Sequence, residues 1–367
     1  MRSARSDARA DGVDGAVKVG RSNTMNRRDF LLAAAGATAG AAVCPSRSFA
    51  QYGIDLSAIR NRDGWRAQRD RILAGMQLVM GELPDTTRLA PGLVTLESKE
   101  TPAFTRRKIT YLSERGDDVP AYLLVPKTLK RRAPAMLCLH QTIKTGKDEP
   151  VGLDGNANLH YAKELAERGY VCIVPDYPYL GENEFDPYQH GYVSCTMKGI
   201  VNHRRAVDVL QSLPEVDPTR IGSIGHSLGG HNTLFVAAFD ERVKAMVTSC
   251  GFTSMRKYDN GNLAGWAGKR YMPRIAGDYG NDPALMPFDF SHILVALAPR
   301  PLFINAPLHD SNFDVSGVRD CVDAAMPVYD NVFRAKERLV ATYPDAGHEF
   351  PSRIRAAAYE FLDKWLK

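Results

Sequence analysis

The 367 residues are 44% hydrophobic, 24% charged and 9% aromatic, with 30 Gly and 22 Pro, a balance that excludes a disordered, collagen-like or disulfide-dense chain. The formal net charge is +5, and the basic excess sits in the first 50 residues, which hold 8 Lys+Arg against 4 Asp+Glu. Because the remainder is nearly neutral, the chain carries no charge footprint for nucleic acid or for an anionic lipid surface.

In chain order, the first apolar block is Phe30 to Val43, preceded by Asn26-Arg27-Arg28-Asp29. Its 14 residues are too few to span a bilayer. A positive segment, a short apolar run and Ser48-Phe49-Ala50, with small residues at the −3 and −1 places, predict a secretory signal peptide cleaved near Ala50. Arg27-Arg28 followed by Phe30-Leu31 resembles the twin-arginine export signal, and Met25, just upstream, is the expected start of translation. The protein is therefore expected to be exported, periplasmic or secreted, without a stable membrane anchor. Five cysteines follow the leader: Cys138, Cys172, Cys195, Cys250 and Cys321. An odd number leaves at least one thiol unpaired, and no Cys/His spacing suggests zinc, so neither a metal nor a cofactor is expected.

Residues 51–105 form a polar extension with one helical stretch, Trp65 to Met80, where Trp65, Ile72, Leu73, Met76 and Val79 recur at near-helical spacing. From residue 106 onward strands and helices alternate. Eight strands are predicted: Lys108–Ser113, Ala121–Val125, Ala135–His140, Tyr170–Val174, Ile221–Gly225, Ala245–Cys250, Leu302–Ala306 and Leu339–Tyr343. Helices are predicted at Leu159–Arg168, Lys198–Leu213, Leu228–Phe239, Val315–Asn331 and Arg353–Leu366. Continuous apolar strands alternating with helices predict an α/β fold, a doubly wound and mostly parallel eight-stranded sheet. Ligands of such sheets bind beyond the carboxyl ends of the strands. Residues 252–298 break the alternation and read as a cap inserted after the sixth strand. The glycine-bearing stretch Lys144 to Asn158 reads as a mobile rim, since Gly146-Lys147-Asp148 lacks the spacing of a phosphate loop.

The most informative motif is Gly225-His226-Ser227-Leu228-Gly229-Gly230, between a predicted strand and a predicted helix. A serine on a sharp strand-to-helix turn is lifted clear of the sheet, and its flanking residues must be small because backbone passes close by. Ser227 is the candidate nucleophile, with the N–H of Leu228, at a helix N-terminus, aimed at the oxyanion. A serine needs a base, and His348 lies in the loop between the last strand and last helix. The acid is expected between them in chain order: Asp310, beyond the seventh strand, with Asp314 as competitor. The second oxyanion donor is expected after the third strand, in His140-Gln141-Thr142: the N–H of Thr142, or alternatively that of Gln141.

From about Lys108 to Lys367, these segments in this order resemble an α/β-hydrolase, most similar to the dienelactone hydrolase and acetyl xylan esterase branch. The resemblance implies hydrolysis of a carboxylic ester without metal or cofactor. A serine at the elbow separates the chain from dienelactone hydrolases proper, which use cysteine. The expected function is an exported serine esterase acting on short-acyl, small-molecule or carbohydrate esters. Asp176-Tyr177-Pro178-Tyr179 and Trp266 are candidates for the pocket wall. A prolyl-oligopeptidase-like serine peptidase and a non-catalytic ligand-binding relative are the other readings, and the sequence does not set the oligomeric state.

Overall fold

The computed structural model describes residues 52–85 and 89–367, so the expected leader lies outside the described residues. Asn61 starts helix α1 (Arg62–Met80), its Oδ1 accepting from the Gly64 N–H at 2.9 Å. There follow β1 (Val94–Glu100), β2 (Phe104–Glu114), β3 (Asp117–Pro126), β4 (Ala133–Leu139), α2 (Tyr161–Glu167), β5 (Val171–Pro175) and α3 (Cys195–Ser212). The second half contains β6 (Val216–His226), α4 (Leu228–Phe239), β7 (Val243–Ser249), α5 (Arg274–Tyr279), α6 (Phe290–Leu297), β8 (Leu302–Asn305), α7 (Val315–Pro327), β9 (Leu339–Thr342) and α8 (Ser352–Leu366).

The described strands form one sheet in the order β1-β2-β3-β5-β4-β6-β7-β8-β9. The pairings from β5 through β4 to β9 are parallel, while β1/β2, β2/β3 and β3/β5 are antiparallel. The expected α/β class stands, with nine strands in place of eight. The additional strand is β1, whose seven residues are all exposed. A strand with neither face buried leaves no alternation of apolar and polar residues to read.

The inner strands are buried on both faces, and their side chains alternate between two clusters. Ala135, Leu137, Val171, Ile173, Leu302 and Ile304 join α1, α3, α4, α6 and α7 on one face. Met136, Cys138, Cys172, Val174 and Phe303 join α2 and α8 on the other. Each fully buried Leu or Ile contributes about 1.5–3 kcal/mol relative to exposure, so this two-sided pattern fixes strand register. The extension shares the core: Trp65 Nε1–H donates to Val295 O at 2.8 Å and Arg69 to Ala238 O at 3.0 Å.

Two expectations are corrected here. Residues 252–298 are not wholly an inserted cap, since α6 is a core helix capped by the buried Asp289 and His292, and Leu263, Trp266, Met272 and Phe288 are themselves core residues. Nor is the stretch after β4 rim throughout: Leu153 to Ala157 are exposed, but the part around Gly146 and Lys147 is packed on Asp176. Asp176, fully buried at the end of β5, accepts from the Lys147 N–H at 2.8 Å, the Lys147 ammonium at 2.6 Å and the Glu182 N–H at 2.9 Å. Gly146 and Gly181 have φ of +53° and +61°, and a Cβ on either would fall 2.2 or 2.0 Å from Asp176 Oδ1. The loop cradles an anion, and that anion is the protein's own.

After β4 the chain crosses to β5 on one side, and β6 then returns on the other. The loops following β4 and β6 therefore part at the crevice where ligands bind in doubly wound sheets.

Candidate active site

Ser227 sits at this crevice, between β6 and α4, with φ 52° and ψ −118°. A non-glycine residue held there costs about 1–3 kcal/mol and persists only when its surroundings over-determine it. They do so here, because the Ser227 N–H donates to Ser249 O at 2.8 Å and its carbonyl accepts from the His231 N–H at 2.9 Å. A Cβ on Gly229 would lie 1.8 Å from Leu139 O, and one on Gly225 would lie 2.3 Å from the Gly229 backbone. The small residues of the motif thus let α4 rest directly on the end of β4. Within the turn His226 and Leu228 are buried and Ser227 is half-buried.

The acid and base loops meet beside it. His348 Nδ1 lies 2.9 and 3.0 Å from the two carboxylate oxygens of Asp310, whose side chain is 2% exposed against 18% for the histidine. Burial alone would raise the Asp310 pKa. Its hydrogen bond to His348, that ring's charge and the Asn312 N–H outweigh burial and hold the carboxyl below its usual range. His348 Nε2 is buried without a hydrogen-bond partner among the described residues. Main-chain bonds from Leu308 to Pro344 O (2.9 Å) and from His309 to Ala346 O (3.0 Å) join the two loops.

The third loop carries the candidate oxyanion donor. His140 Nε2 accepts from the Tyr177 N–H at 3.0 Å, so the ring proton is on Nδ1, which donates to Gln141 O at 2.6 Å. Burial lowers the His140 pKa and keeps the ring neutral. The Ile143 N–H also donates to Gln141 O, at 2.9 Å. Across a trans peptide this clamp turns the Thr142 N–H away from the His140 ring. Thr142 and Arg270 help to line a cleft of about 560 Å³ with Lys144, Tyr179 and Leu180. Leu180 also packs in a small apolar cluster with Leu228. The Gln141 side chain turns aside to the carboxylate of Glu149 at 3.0 Å.

Of the residues singled out from sequence, Ser227, Leu228, Asp310, His348 and Thr142 all lie beyond the carboxyl ends of strands in one stretch of the sheet, β4, β6, β8 and β9. Asp314 caps α7 instead, accepting from the Ser316 N–H at 2.7 Å. Tyr179 lines the cleft, whereas Tyr177 and Trp266 are core residues and Asp176 is the cradled anion. Two participants had no sequence signal. Asn305 Nδ2, at the end of β8, donates to Ser249 Oγ and to Glu349 O, both at 2.9 Å, tying the base loop to the strand behind the elbow. Cys250, with φ +48°, places Sγ 3.4 Å from Glu349 O, and together with His226 and His348 it forms a group of metal-capable side chains.

Comparison with known proteins gives consistent relatives. The prolyl oligopeptidase family matches over residues 157–367. YtaP, a candidate hydrolase of Bacillus subtilis, is 27% identical over 317 residues, spanning 82% of this chain and 100% of YtaP. A candidate carboxymethylenebutenolidase of Salmonella typhi is 25% identical over 291 residues, covering 76% of this chain and 89% of the relative. Among solved structures, the glucuronoyl esterase of Solibacter usitatus superposes with a TM-score of 0.63 at 16% identity, covering 84% of this chain and 94% of that one. That likeness is one of fold.

Proposed function

Since the chain belongs to the prolyl oligopeptidase family, within the α/β-hydrolase superfamily, we propose that it cleaves carboxylic esters with Ser227 as nucleophile, His348 as base and Asp310 as acid. The observation that carries the reading is a strained, half-buried Ser227 next to His226, whose ring lies 4.8 Å from that of His348, a histidine whose Nδ1 is held by a buried carboxylate and whose Nε2 has no hydrogen-bond partner among the described residues.

Ser227 Oγ attacks the ester carbonyl while His348 Nε2 takes its proton, and Asp310 stabilises the imidazolium. The N–H groups of Leu228 and Thr142 receive the oxyanion; Thr142 is favoured over Gln141 because it lines the cleft. His348 then protonates the departing alkoxide, and water cleaves the acyl-enzyme. A polar or carbohydrate alcohol suits the cleft that Thr142 lines, whose wall combines Tyr179 and Asn183 with the charged Lys144, Glu184 and Arg270; a short acyl group is the expectation carried over from the sequence. Solved structures of the same fold include glucuronoyl and acetyl xylan esterases, which makes esters the first substrates to test, with a prolyl peptide as the competing class. The Arg27-Arg28 leader supports export.

Rates on p-nitrophenyl esters from acetate to octanoate, and on a prolyl peptide, test this with wild type and Ser227→Ala. The expected result is fastest cleavage of acetate and a loss of about 10³-fold or more in Ser227→Ala, with the thermal midpoint unchanged. Equal rates in wild type and variant, or peptide cleavage exceeding ester cleavage, would overturn it.

A further inference from the structure

We propose that His226, Cys250 and His348 form a binding site for one borderline-soft divalent cation, Zn²⁺ being the type, and that the bound ion blocks ester hydrolysis. The inhibitory part rests on the reading of His348 as the base; the binding part does not.

The three residues are far apart in sequence, and the sheet brings them together. His226 ends β6 and Cys250 follows β7, neighbouring parallel strands, while His348 comes from the loop after β9. One ligand atom from each lies within 4.8 Å of the others, and the two imidazole rings are 4.8 Å apart. Tetrahedral zinc, with Zn–N near 2.0–2.1 Å and Zn–S near 2.3 Å, needs separations of roughly 3.3–3.8 Å. A closure of about 1 Å meets that, and His348, its side chain 18% exposed, is the least buried of the three.

Both rings are oriented as metal-binding histidines are. His348 Nδ1 is held by Asp310 and His226 Nδ1 lies 2.9 Å from Ser249 Oγ, so each ring has its Nε2 left to coordinate. His348 Nε2 is buried and has no hydrogen-bond partner among the described residues. Binding exchanges the S–H bond of Cys250 for an S–metal bond and releases one proton to solvent, with no change of oxidation state. Two imidazoles and a thiolate select Zn²⁺ or Co²⁺ and reject Mg²⁺ and Ca²⁺, which require oxygen ligands. The thiolate leaves the complex at +1, with the Asp310 carboxylate adjacent to balance it. An ion on His348 Nε2 occupies the lone pair that accepts the Ser227 proton.

Titrating the whole protein with Co²⁺ tests binding without any substrate. The expected result is a cobalt–thiolate charge-transfer band in the near ultraviolet that saturates at one equivalent, is displaced by Zn²⁺, is indifferent to Mg²⁺ and is absent from Cys250→Ser. Serine can still donate to Glu349 O, and a thermal melt of this variant and of Cys250→Ala verifies folding. In parallel, Zn²⁺ lowers the ester hydrolysis rate, EDTA restores it, and half-inhibition needs at least tenfold more Zn²⁺ in Cys250→Ser and His226→Asn, each compared with its own zinc-free rate. Absence of the band, or equal zinc sensitivity in wild type and both variants, overturns the site. A band in a protein that cleaves no ester keeps the site and defeats the esterase reading; ester cleavage without the band does the reverse.

Discussion

Asp310 accepts from the ring of His348, while Asp314, four residues on, accepts from the Ser316 N–H and starts α7. Their removal is therefore expected to read out in different measurements. Asp310→Asn keeps the size of the side chain and spoils the tautomer of His348, so kcat falls by about 10³–10⁴-fold with little change in KM. Asp314→Ala leaves kcat alone and costs about 1 kcal/mol in thermal stability through the lost cap. Steady-state kinetics and a melting curve separate the two, and a kcat loss shared equally by both variants would unseat Asp310. At this scale the serine and the histidine were legible because each stands in a local pattern, a glycine-flanked serine between strand and helix and a histidine between the last strand and last helix. Asn305 and Cys250 were not, because their importance comes from which strands are neighbours. The spacing from His226 to Cys250 to His348 resembles no metal motif, yet the ends of β6, β7 and β9 bring one ligand atom of each within 4.8 Å of the others.

Elements were legible wherever burial imposed a period. The predicted strands from Lys108 onward correspond to β2–β9 and differ mainly at their ends, and Leu228–Phe239 matches α4 at both ends. Strand β1 carried no such pattern, and α6 was hidden inside a segment whose turns obscured a two-turn helix. The loop after β4 was misread for a different reason. Its glycines and lysine look like solvent-exposed rim chemistry until Asp176 is seen to fill them. Lys147 is nearly fully buried against that carboxylate, and Glu182, its second partner, is half exposed. Lys147→Met leaves Asp176 without its ammonium and is expected to cost about 3–5 kcal/mol. Glu182→Gln disturbs only the exposed arm and should cost under about 1 kcal/mol. Urea unfolding of the two variants measures both. A loss below about 1 kcal/mol for Lys147→Met would mean that the cradle contributes little to holding the loop that carries Thr142.

Across the whole molecule, folding stability is expected to fall as the solution is acidified, well before carboxylates titrate. Burial depresses the pKa of His203 and of His231 to about 3 and that of His292 to about 4. Unfolded histidine titrates near 6.5. Between that value and the folded pKa the unfolded chain binds the extra proton, so acid favours unfolding; above about pH 7 the contribution vanishes, and below about pH 3 it is constant. Each group supplies a slope of up to about 1.4 kcal/mol per pH unit, and three give a ceiling of roughly 4 kcal/mol per unit. His231 isolates the effect, for its ring is stacked against Phe235 at 3.9 Å and Trp266 at 4.7 Å, with neither nitrogen hydrogen-bonded among the described residues. His231→Phe keeps the stack and removes both orphaned nitrogens and the proton site. At pH 7.5 it should be neutral or slightly stabilising; at pH 5 it should exceed wild type by on the order of 2 kcal/mol. Urea midpoints at the two pH values decide the matter. If wild type and variant fall in parallel between pH 7.5 and 5, the ring takes up its proton as readily in the folded core as in the unfolded chain, and the acid sensitivity must reside elsewhere.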